Sequence, residues 1–230
     1  MDSQFWEKYV QVKHLNVLAY DRIRNQVRSG WTEKQLYELV VKTYVENGGS
    51  QVLYEGDFIS GPRSWGIEGP ATDRIMEKGD TIIVDALCAV DGVYCDTTRT
   101  YFCGKPTEEQ KSAYQFLCTL HEEIVPLLKP GTVAGDIFRY TDRRLKEEGY
   151  SGLLHHAGHG LKHSWCEAPH LVEDSQAVLE ENMLVAFEPG IYIPGKFGMR
   201  LENNYRVTKD GGIDVFGYTK EMEDFIIDEQ

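Results

Sequence analysis

The feature that most constrains this chain is a short segment, TIIVDALCAVDGVYCDTTRTYF, in which two apolar runs flank the pair Asp91-Gly92. An Asp-Gly pair between such runs is the strongest short-range signal for a β-hairpin with a two-residue turn. The segment therefore predicts two antiparallel strands, Thr81–Val90 and Val93–Phe102.

This predicted hairpin brings two aspartates to one face. With a two-residue turn, Asp85 faces Thr98 and Asp96 faces Leu87, and side chains alternate along a strand, so all four share a face. The two aspartates are then diagonal neighbours, roughly 7–8 Å apart at the backbone. Because the neighbouring residues are apolar, the two carboxylates would repel each other and bind protons unless a cation joined them.

A second pair of acids lies in LVAFEPGIYIPGKFGMRLENNYRV. A loop centred on Lys196 would place Glu188 opposite Asn204, with Glu202 as its diagonal neighbour on the same face. Surface acids on solvated strands are the alternative in a chain with 37 Asp and Glu residues. Two hairpins that each present two acids inward favour a shared site, because buried acids rarely persist unpaired.

Histidines are concentrated near the second pair of acids. Five of the seven fall within one short stretch, at His155, His156, His159, His163 and His170. The glycines on each side of His159 allow a metal or a substrate to approach the backbone closely. One neutral imidazole with four carboxylates is balanced by two divalent ions, which acidify a water bound between them. This donor set suits Mn²⁺, Fe²⁺ or Co²⁺, with Zn²⁺ as an alternative. Any single histidine here is more often a packed or capping residue, and we expect His163 and His170 at the rim or the surface.

The chain repeats one order of elements twice, as helix, helix, irregular segment and hairpin, in halves of about 1–103 and 104–230. Capping boxes begin helices at Thr32 and Thr107, because Gln35 and Gln110 follow three residues later. The predicted helices cover about 4–28, 32–46, 107–128 and 133–148, and the later strands cover about 182–193 and 199–208. This order predicts two related αβ halves packed as one domain with pseudo-twofold symmetry. An ordinary α+β domain whose halves are alike by chance is the alternative.

Composition excludes several classes of function. The net charge of −13 argues against nucleic acid and anionic membrane surfaces as partners. No apolar run approaches the roughly 18 residues that a membrane span needs, and the first residues lack a secretory pattern. Five cysteines, an odd number without a CxxC motif, fit reduced thiols. We therefore expect a cytoplasmic protein.

Taken together, VDALCAVDGVYCDTTRT, HHAGHG, FEPGIY and RLENNYRVT, in that order, resemble the methionine aminopeptidase/prolidase/creatinase superfamily, the pita-bread metallohydrolases. The resemblance implies an α+β pita-bread fold with a curved antiparallel sheet. It also implies that the protein binds two metal ions at one site. It implies as metal ligands Asp85, Asp96, His159, Glu188 and Glu202, with Asp96 and Glu202 bridging the ions. It also implies catalytic roles for His155 and Arg200 and substrate binding by Tyr192 and Thr98. The short gap from Glu188 to Glu202 is similar to the proline-peptidase and creatinase branch, and a homodimer is in keeping with the family.

Three departures from the family pattern accompany this resemblance. Proline peptidases of the family usually carry an N-terminal domain, whereas the first helix here starts near residue 4, which predicts the catalytic domain only. The family also has two outer histidines that hydrogen-bond the scissile carbonyl, and this chain has Glu68 and Cys166 at those positions. An ionised Glu68 would prefer an amine, guanidine or ammonium group. Cys166 would act as a weak donor, as a thiol near the metal, or as a small buried hydrophobe. Both are predicted to line one pocket wall and to take part in catalysis.

Three functions remain open from the sequence. The leading expectation is a dinuclear metal-dependent hydrolase that cleaves a C–N bond in a small substrate, such as a short peptide with proline. The alternative is a non-peptidase hydrolase or lyase on the same scaffold, which the replaced histidines favour more than in an average member of the superfamily. The third is a binding module without turnover, which retention of all five expected ligands disfavours.

Overall fold

The structure, a computed structural model, describes residues 1–49, 56–162 and 164–228. Within these ranges the chain forms four α-helices: α1 Ser3–Gln26, α2 Glu33–Glu46, α3 Glu108–Ile124 and α4 Ala134–Glu147. The strands are β1 Phe58–Ser60, β2 Thr81–Val90, β3 Val93–Cys103, β4 Gly158–Gly160, β5 Leu184–Phe187, β6 Gly190–Ile193, β7 Phe197–Arg200, β8 Asn203–Thr208, β9 Gly211–Asp214 and β10 Ile226–Ile227. The predicted order of helices followed by hairpins is therefore confirmed.

Local signals in the sequence set the helix boundaries. Both capping boxes are present, since the side chains of Thr32 and Thr107 accept from the N–H groups of Gln35 and Gln110, whose own side chains accept in return. The helix predicted to reach residue 128 instead ends as α-helix at Ile124 and continues as a short 3₁₀ segment. That segment contains a proline, which lacks the N–H that an α-helical turn needs.

The first hairpin has the predicted register. Asp85 pairs with Thr98 and Leu87 pairs with Asp96. Asp91 and Gly92 have φ of 51° and 77°, as a type I′ turn requires at both central positions. The strands belong to a sheet with the order β1-β2-β3-β10, and α1 packs against both β2 and β3.

The second hairpin has a different register from the predicted one. Ala186, rather than Glu188, pairs with Asn204, so the prediction is wrong by two residues. The cause is the turn at Pro194-Gly195, where the N–H of Lys196 donates to the carbonyl of Ile193. Gly195 has φ of 77°, so this is a type II turn with proline and glycine at its central positions, and its centre lies before Lys196. An even shift keeps each side chain on its face, so both glutamates still point the same way.

Each predicted strand of this hairpin is also divided in two. The break falls at Glu188 and the following proline on one strand, and at Glu202 on the other, which separates the β6-β7 ribbon from the β4-β5-β8-β9 sheet. Proline cannot donate to a ladder, and the two glutamates donate their N–H groups elsewhere, Glu188 to Ala157 and Glu202 to Thr98. The second of these bonds joins the two hairpins, so the acids lie where the halves of the chain meet.

The helices and the curled sheets enclose a continuous hydrophobic core that includes side chains from both halves. Both predicted αβ halves are present. That residues 1–230 form a single domain, with halves of about 1–103 and 104–230, stays a prediction. Among the described helices, none combines the length and the apolar character that crossing a membrane requires.

Candidate metal centre and pocket

A cavity of about 250 Å³ lies where the two hairpins meet. Its walls are formed by Asp57, Ile67, Glu68, Asp85, Asp96, His155, His156, His159, Trp165, Glu188, Arg200 and Glu202. All but two of these side chains are ionisable, which suits a reaction on a polar group better than the binding of an apolar ligand. All five predicted metal ligands are among them.

The histidine of this group is oriented toward the acids. His159 Nδ1 lies 3.1 Å from the carbonyl oxygen of Gly160, so Nδ1–H donates there and Nε2 keeps its lone pair. That Nε2 lies 3.7 Å from Asp96 Oδ2 and 3.5 Å from Glu188 Oε1. One atom each of Asp96, His159 and Glu202 lie within 4.8 Å of one another. Burial lowers the pKa of His159, which favours the neutral imidazole that a metal requires.

Each carboxylate has an oxygen that the protein does not satisfy. Among the described residues, Asp85 Oδ1, Asp96 Oδ1 and Glu202 Oε1 are buried and have no hydrogen-bond partner. Glu188 Oε1 lies 2.9 Å from His156 Nε2, although it lacks a well-aligned hydrogen bond. Buried polar atoms without partners are costly. Because these oxygens are hard donors around one cavity, the residues fit divalent metal ions.

In two of these carboxylates, Asp85 and Glu202, the other oxygen accepts a hydrogen bond from a side chain of the protein. Arg200 Nη2 donates to Asp85 Oδ2 over 3.0 Å, and the hydroxyl of Thr98 donates to Glu202 Oε2 over 2.9 Å. Hydrogen bonds of this kind orient metal-ligating carboxylates in proteins. The free oxygens Asp85 Oδ1 and Glu202 Oε1 are therefore fixed in direction.

Crowding of the acids shifts their ionisation. Burial, together with neighbouring carboxylates, raises the pKa of Asp96 and of Glu202 well above the usual range. Burial raises the pKa of Asp85 to about 6, although Arg200 opposes the shift. Burial also acts to raise the pKa of Glu188, but the nearby histidines, His156 first, outweigh it and lower the value to about 2. Without metal, protons therefore take the place of a cation at Asp96 and Glu202, and at Asp85 only below about pH 6.

Arg200, which lines the cavity, compensates part of this negative charge. Its side chain is buried, and Nη2 lies 2.5 Å from Asp57 Oδ2 as well as near Asp85. Nη1 donates to the hydroxyl oxygen of Tyr192 and to the carbonyl oxygen of Ile67, each over 3.3 Å.

A hydrogen-bonded chain fixes His155 and Tyr192. His155 Nδ1–H donates to the carbonyl of His156 over 2.7 Å, so Nε2 accepts from the hydroxyl of Tyr192 over 2.9 Å. Burial lowers the pKa of His155 to about 4, and burial raises the pKa of Tyr192 to about 12. Both groups are therefore neutral near pH 7, and the tyrosine is the donor.

Glu68 enters the cavity wall through an unusual turn. Ile67 has φ of 78° and ψ of −55°, and the N–H of Glu68 donates to the carbonyl of Gly66, which defines a γ-turn centred on Ile67. A β-branched residue at positive φ is an outlier that needs support from its surroundings. That support comes from Arg200, which donates to the Ile67 carbonyl, and from the packing of Ile67 against a small apolar cluster of Ile59, Ile83 and Tyr192. Glu68 is exposed and lines the cavity mouth.

Cys166 lies beside this cavity and not in its lining, which instead includes its neighbour Trp165. Its Sγ is 3.9 Å from His170 Nδ1, and one ring nitrogen of His156 lies within 4.8 Å of both. His170 is exposed, as expected. The predicted position of His163 lies outside the described residues.

The sequence did not indicate three of the cavity residues as functional. Asp57 belongs to no recognisable motif, and only the folded chain brings it to Arg200. His156 and Trp165 are adjacent in the sequence to the predicted site residues His155 and Cys166. This adjacency is the only indication of their position that the sequence contains.

The fold and this site define the class of protein. The X-Pro aminopeptidase from Thermotoga maritima superimposes with a TM-score of 0.92 at 27% identity, over 99% of this chain and 64% of that one. The prolidase from Pyrococcus furiosus superimposes with a TM-score of 0.90 at 26% identity, over 95% of this chain and 65% of that one. The α+β pita-bread fold is thus confirmed.

The chain belongs to metallopeptidase family M24, whose model matches residues 7–209. It is 30% identical to the Xaa-Pro dipeptidase of Pyrococcus furiosus over 81% of this chain and 54% of the relative. It is 34% identical to an uncharacterised peptidase of Bacillus subtilis over 71% of this chain and 46% of the relative. The resemblance inferred from the motifs is confirmed, and the chain spans about half the length of these curated relatives.

Proposed function

We propose that this chain forms the catalytic part of a dinuclear metal-dependent peptidase that cleaves a C–N bond in short peptides, in the manner of an Xaa-Pro dipeptidase. The observation that carries the proposal is the set of buried carboxylate oxygens without partners around His159 Nε2. The family and the names of the relatives support the same reaction class. Two divalent ions would be held by Asp85, Asp96, His159, Glu188 and Glu202, with Asp96 and Glu202 shared; Mn²⁺, Fe²⁺ and Co²⁺ suit this set best.

Metal ions bound there would supply Lewis acidity that activates a water and polarises the scissile carbonyl. The protein's own residues orient the site. Arg200 and Thr98 direct the free oxygens of Asp85 and Glu202, and Gly160 fixes the tautomer of His159. We assign the neutral pair His155 and Tyr192 to the placement of substrate, because His155 lines the cavity and the hydroxyl of Tyr192, which donates to its Nε2, holds the ring in place. Thr98 is fully buried, so we propose that it acts on substrate through Glu202 and not by contact.

The test is metal content together with turnover of dipeptides. Asp96→Ala and Glu202→Ala should abolish hydrolysis and reduce the metal bound at this centre to at most one ion per chain, because each removes a shared ligand. The matched control is Asp73→Ala, whose side chain is 83% exposed and should leave both readouts unchanged. An Asp96→Ala protein that keeps two ions at this centre and full activity would contradict the assignment.

A second candidate function is a non-peptidase hydrolase or lyase whose substrate carries a positive charge. The observation that favours it is Glu68 at the cavity mouth, an acceptor at a position where the family usually has a donor. Activity should be compared across dipeptides, amidines, amides and sulfonium compounds. If the substrate is a conventional dipeptide, Glu68→His combined with Cys166→His should raise turnover, since lost oxyanion donors cost about 10²–10³ in rate.

If the substrate is cationic, both that double variant and Glu68→Ala should lose activity, because the partner of the positive charge is gone. A double variant that equals the parent on every substrate would show that these positions do not direct the chemistry.

Three further expectations accompany the proposal. All five cysteines are unpaired thiols, which supports a reducing compartment such as the cytoplasm. A small-molecule or short-peptide substrate is in keeping with the size of the cavity. A homodimer stays a prediction.

A further inference from the structure

Three potential ligands of a different chemical type lie beside the main cavity. One atom each of His156, Cys166 and His170 lie within 4.8 Å of one another, and the Cys166 Sγ to His170 Nδ1 distance is 3.9 Å. The main centre offers four carboxylates and one imidazole, whereas this group offers one thiol and two imidazoles. Only His156 of the three also lines the cavity.

Backbone hydrogen bonds hold these residues in place. The segment before β4 and the segment that follows it run antiparallel, joined by bonds from Ala157 N–H to Leu171 and from Leu171 N–H to Gly158. Gly160 and Glu167 exchange both of their backbone hydrogen bonds, at 2.9 and 3.1 Å. Each of the three side chains is therefore next to a residue of this ladder, and the group is positioned by a rigid element.

His156 has the surroundings of a ligating histidine. Its Nε2 lies 2.9 Å from Glu188 Oε1, and a carboxylate at one ring nitrogen commonly orients an imidazole whose other nitrogen binds metal. An ion would bind His156 at Nδ1 while Nε2 keeps its contact with Glu188. His170 is exposed, which gives an ion a path from solvent.

We propose that His156, Cys166 and His170 form a separate site for a single thiophilic divalent ion, with Zn²⁺ as the expected occupant. A thiolate with two imidazoles selects zinc over the ions that prefer oxygen ligands. Binding replaces the thiol proton, which is released to solvent. Three protein ligands leave a fourth position for water, and Glu188 links this site to the main centre through His156.

Cobalt titration tests the site, because a thiolate bound to Co²⁺ gives a near-ultraviolet charge-transfer band that oxygen and nitrogen ligands do not give. The parent should show the band, and Cys166→Ser should lose it. The matched control is Cys118→Ser on α3, which removes another partly buried thiol and should keep the band. His170→Ala, at an exposed position, should weaken Co²⁺ binding by at least about tenfold without disturbing the core.

Asp96→Ala distinguishes this proposal from the proposed function, since it should keep the band while it lowers metal binding at the main centre. Absence of the band from the parent, or its persistence in Cys166→Ser, would overturn the site. Loss of the band in Asp96→Ala would assign the thiol to the main centre and overturn a separate site. As a second readout, Zn²⁺ should slow alkylation of Cys166 in the parent and in Asp96→Ala but not in His170→Ala; equal rates with and without Zn²⁺ in the parent would also overturn the proposal.

Discussion

At the scale of single residues, Arg200 compensates the negative charge of two carboxylates, a role that its sequence motif does not indicate. Its guanidinium lies between Asp57 and Asp85, 2.5 and 3.0 Å away, and it also holds the carbonyl beneath the Ile67 turn. The side chains of Arg200 and Asp57 are buried and that of Asp85 is only 17% exposed, so salt screens these pairs less than a surface ion pair. A lysine would not replace it, because one ammonium cannot span these directions.

We expect Arg200→Met to destabilise the metal-free protein by about 3–5 kcal/mol, because two buried carboxylates lose their partner. Denaturant unfolding measures the change. Adding Asp57→Asn to this variant should restore part of the loss, whereas Arg143→Met, at a side chain that is 62% exposed, should have little effect. A change below about 1 kcal/mol for Arg200→Met would show that the pairing does not hold the site together.

The residues that sequence reasoning found and missed differ in a physical way. Asp85 and Asp96 lie in regular strands, and Glu188 and Glu202 directly follow or precede strands, so alternation along the chain indicates which face each occupies. Asp57 adjoins a three-residue strand, and its partner is 143 positions away in the chain, so local patterns carry no information about the contact.

At the scale of elements, the two hairpins show why one register was predictable and the other was not. Asp91-Gly92 admits essentially one turn in a hairpin, and the whole ladder follows from it. The second loop, IPGKF, can be centred on more than one residue, and the choice depends on whether Gly195 adopts positive φ. The division of the strands at Glu188 and Glu202 depends on hydrogen bonds to distant segments, which no hairpin rule contains.

We expect Gly195→Ala to lower the free energy of unfolding by roughly 1–2 kcal/mol, because an L-residue at φ of 77° is disfavoured. A Cβ there meets nothing within 4 Å, so the cost is conformational and not steric. Gly195→Asn is the matched control, since asparagine tolerates this conformation, and it should retain most of the stability. Equal thermal midpoints for the alanine and asparagine variants would argue against the type II turn.

At the scale of the whole molecule, the acids in the cavity make stability depend on pH when metal is removed. Burial and mutual repulsion raise the pKa values of Asp96 and Glu202 well above the usual range, so the native state holds protons that the unfolded chain has already lost. Stability falls with rising pH wherever the native state binds more protons. The buried histidines His155 and His159, whose pKa values are lowered, give the opposite slope, but only below their unfolded value of about 6.5.

The metal-free protein should therefore lose stability as the pH rises from about 7 to about 8, a range above the histidines' unfolded value and below that of most free thiols. Chemical unfolding at several pH values measures the slope. The double variant Asp96→Asn with Glu202→Gln should reduce it, because neither side chain can ionise. A smaller slope of the same sign should remain from His156, because burial acts to lower its pKa but Glu188 outweighs that effect and raises the pKa. A slope that is unchanged in the double variant would place its origin elsewhere.

The hydrogen bond between Thr98 and Glu202 joins residues 104 positions apart, and the same two hairpins would share any ion held in the cavity. Such an ion would act as a reversible cross-link that closes a loop of about 100 residues. A permanent cross-link over a loop of about 100 residues stabilises by about 4–5 kcal/mol in the chain-entropy model, and a reversible one resists unfolding for as long as it is occupied. Addition of a chelator should therefore speed unfolding and proteolysis of the parent, and should have a smaller effect on Asp96→Ala, which lacks a shared ligand of the main centre.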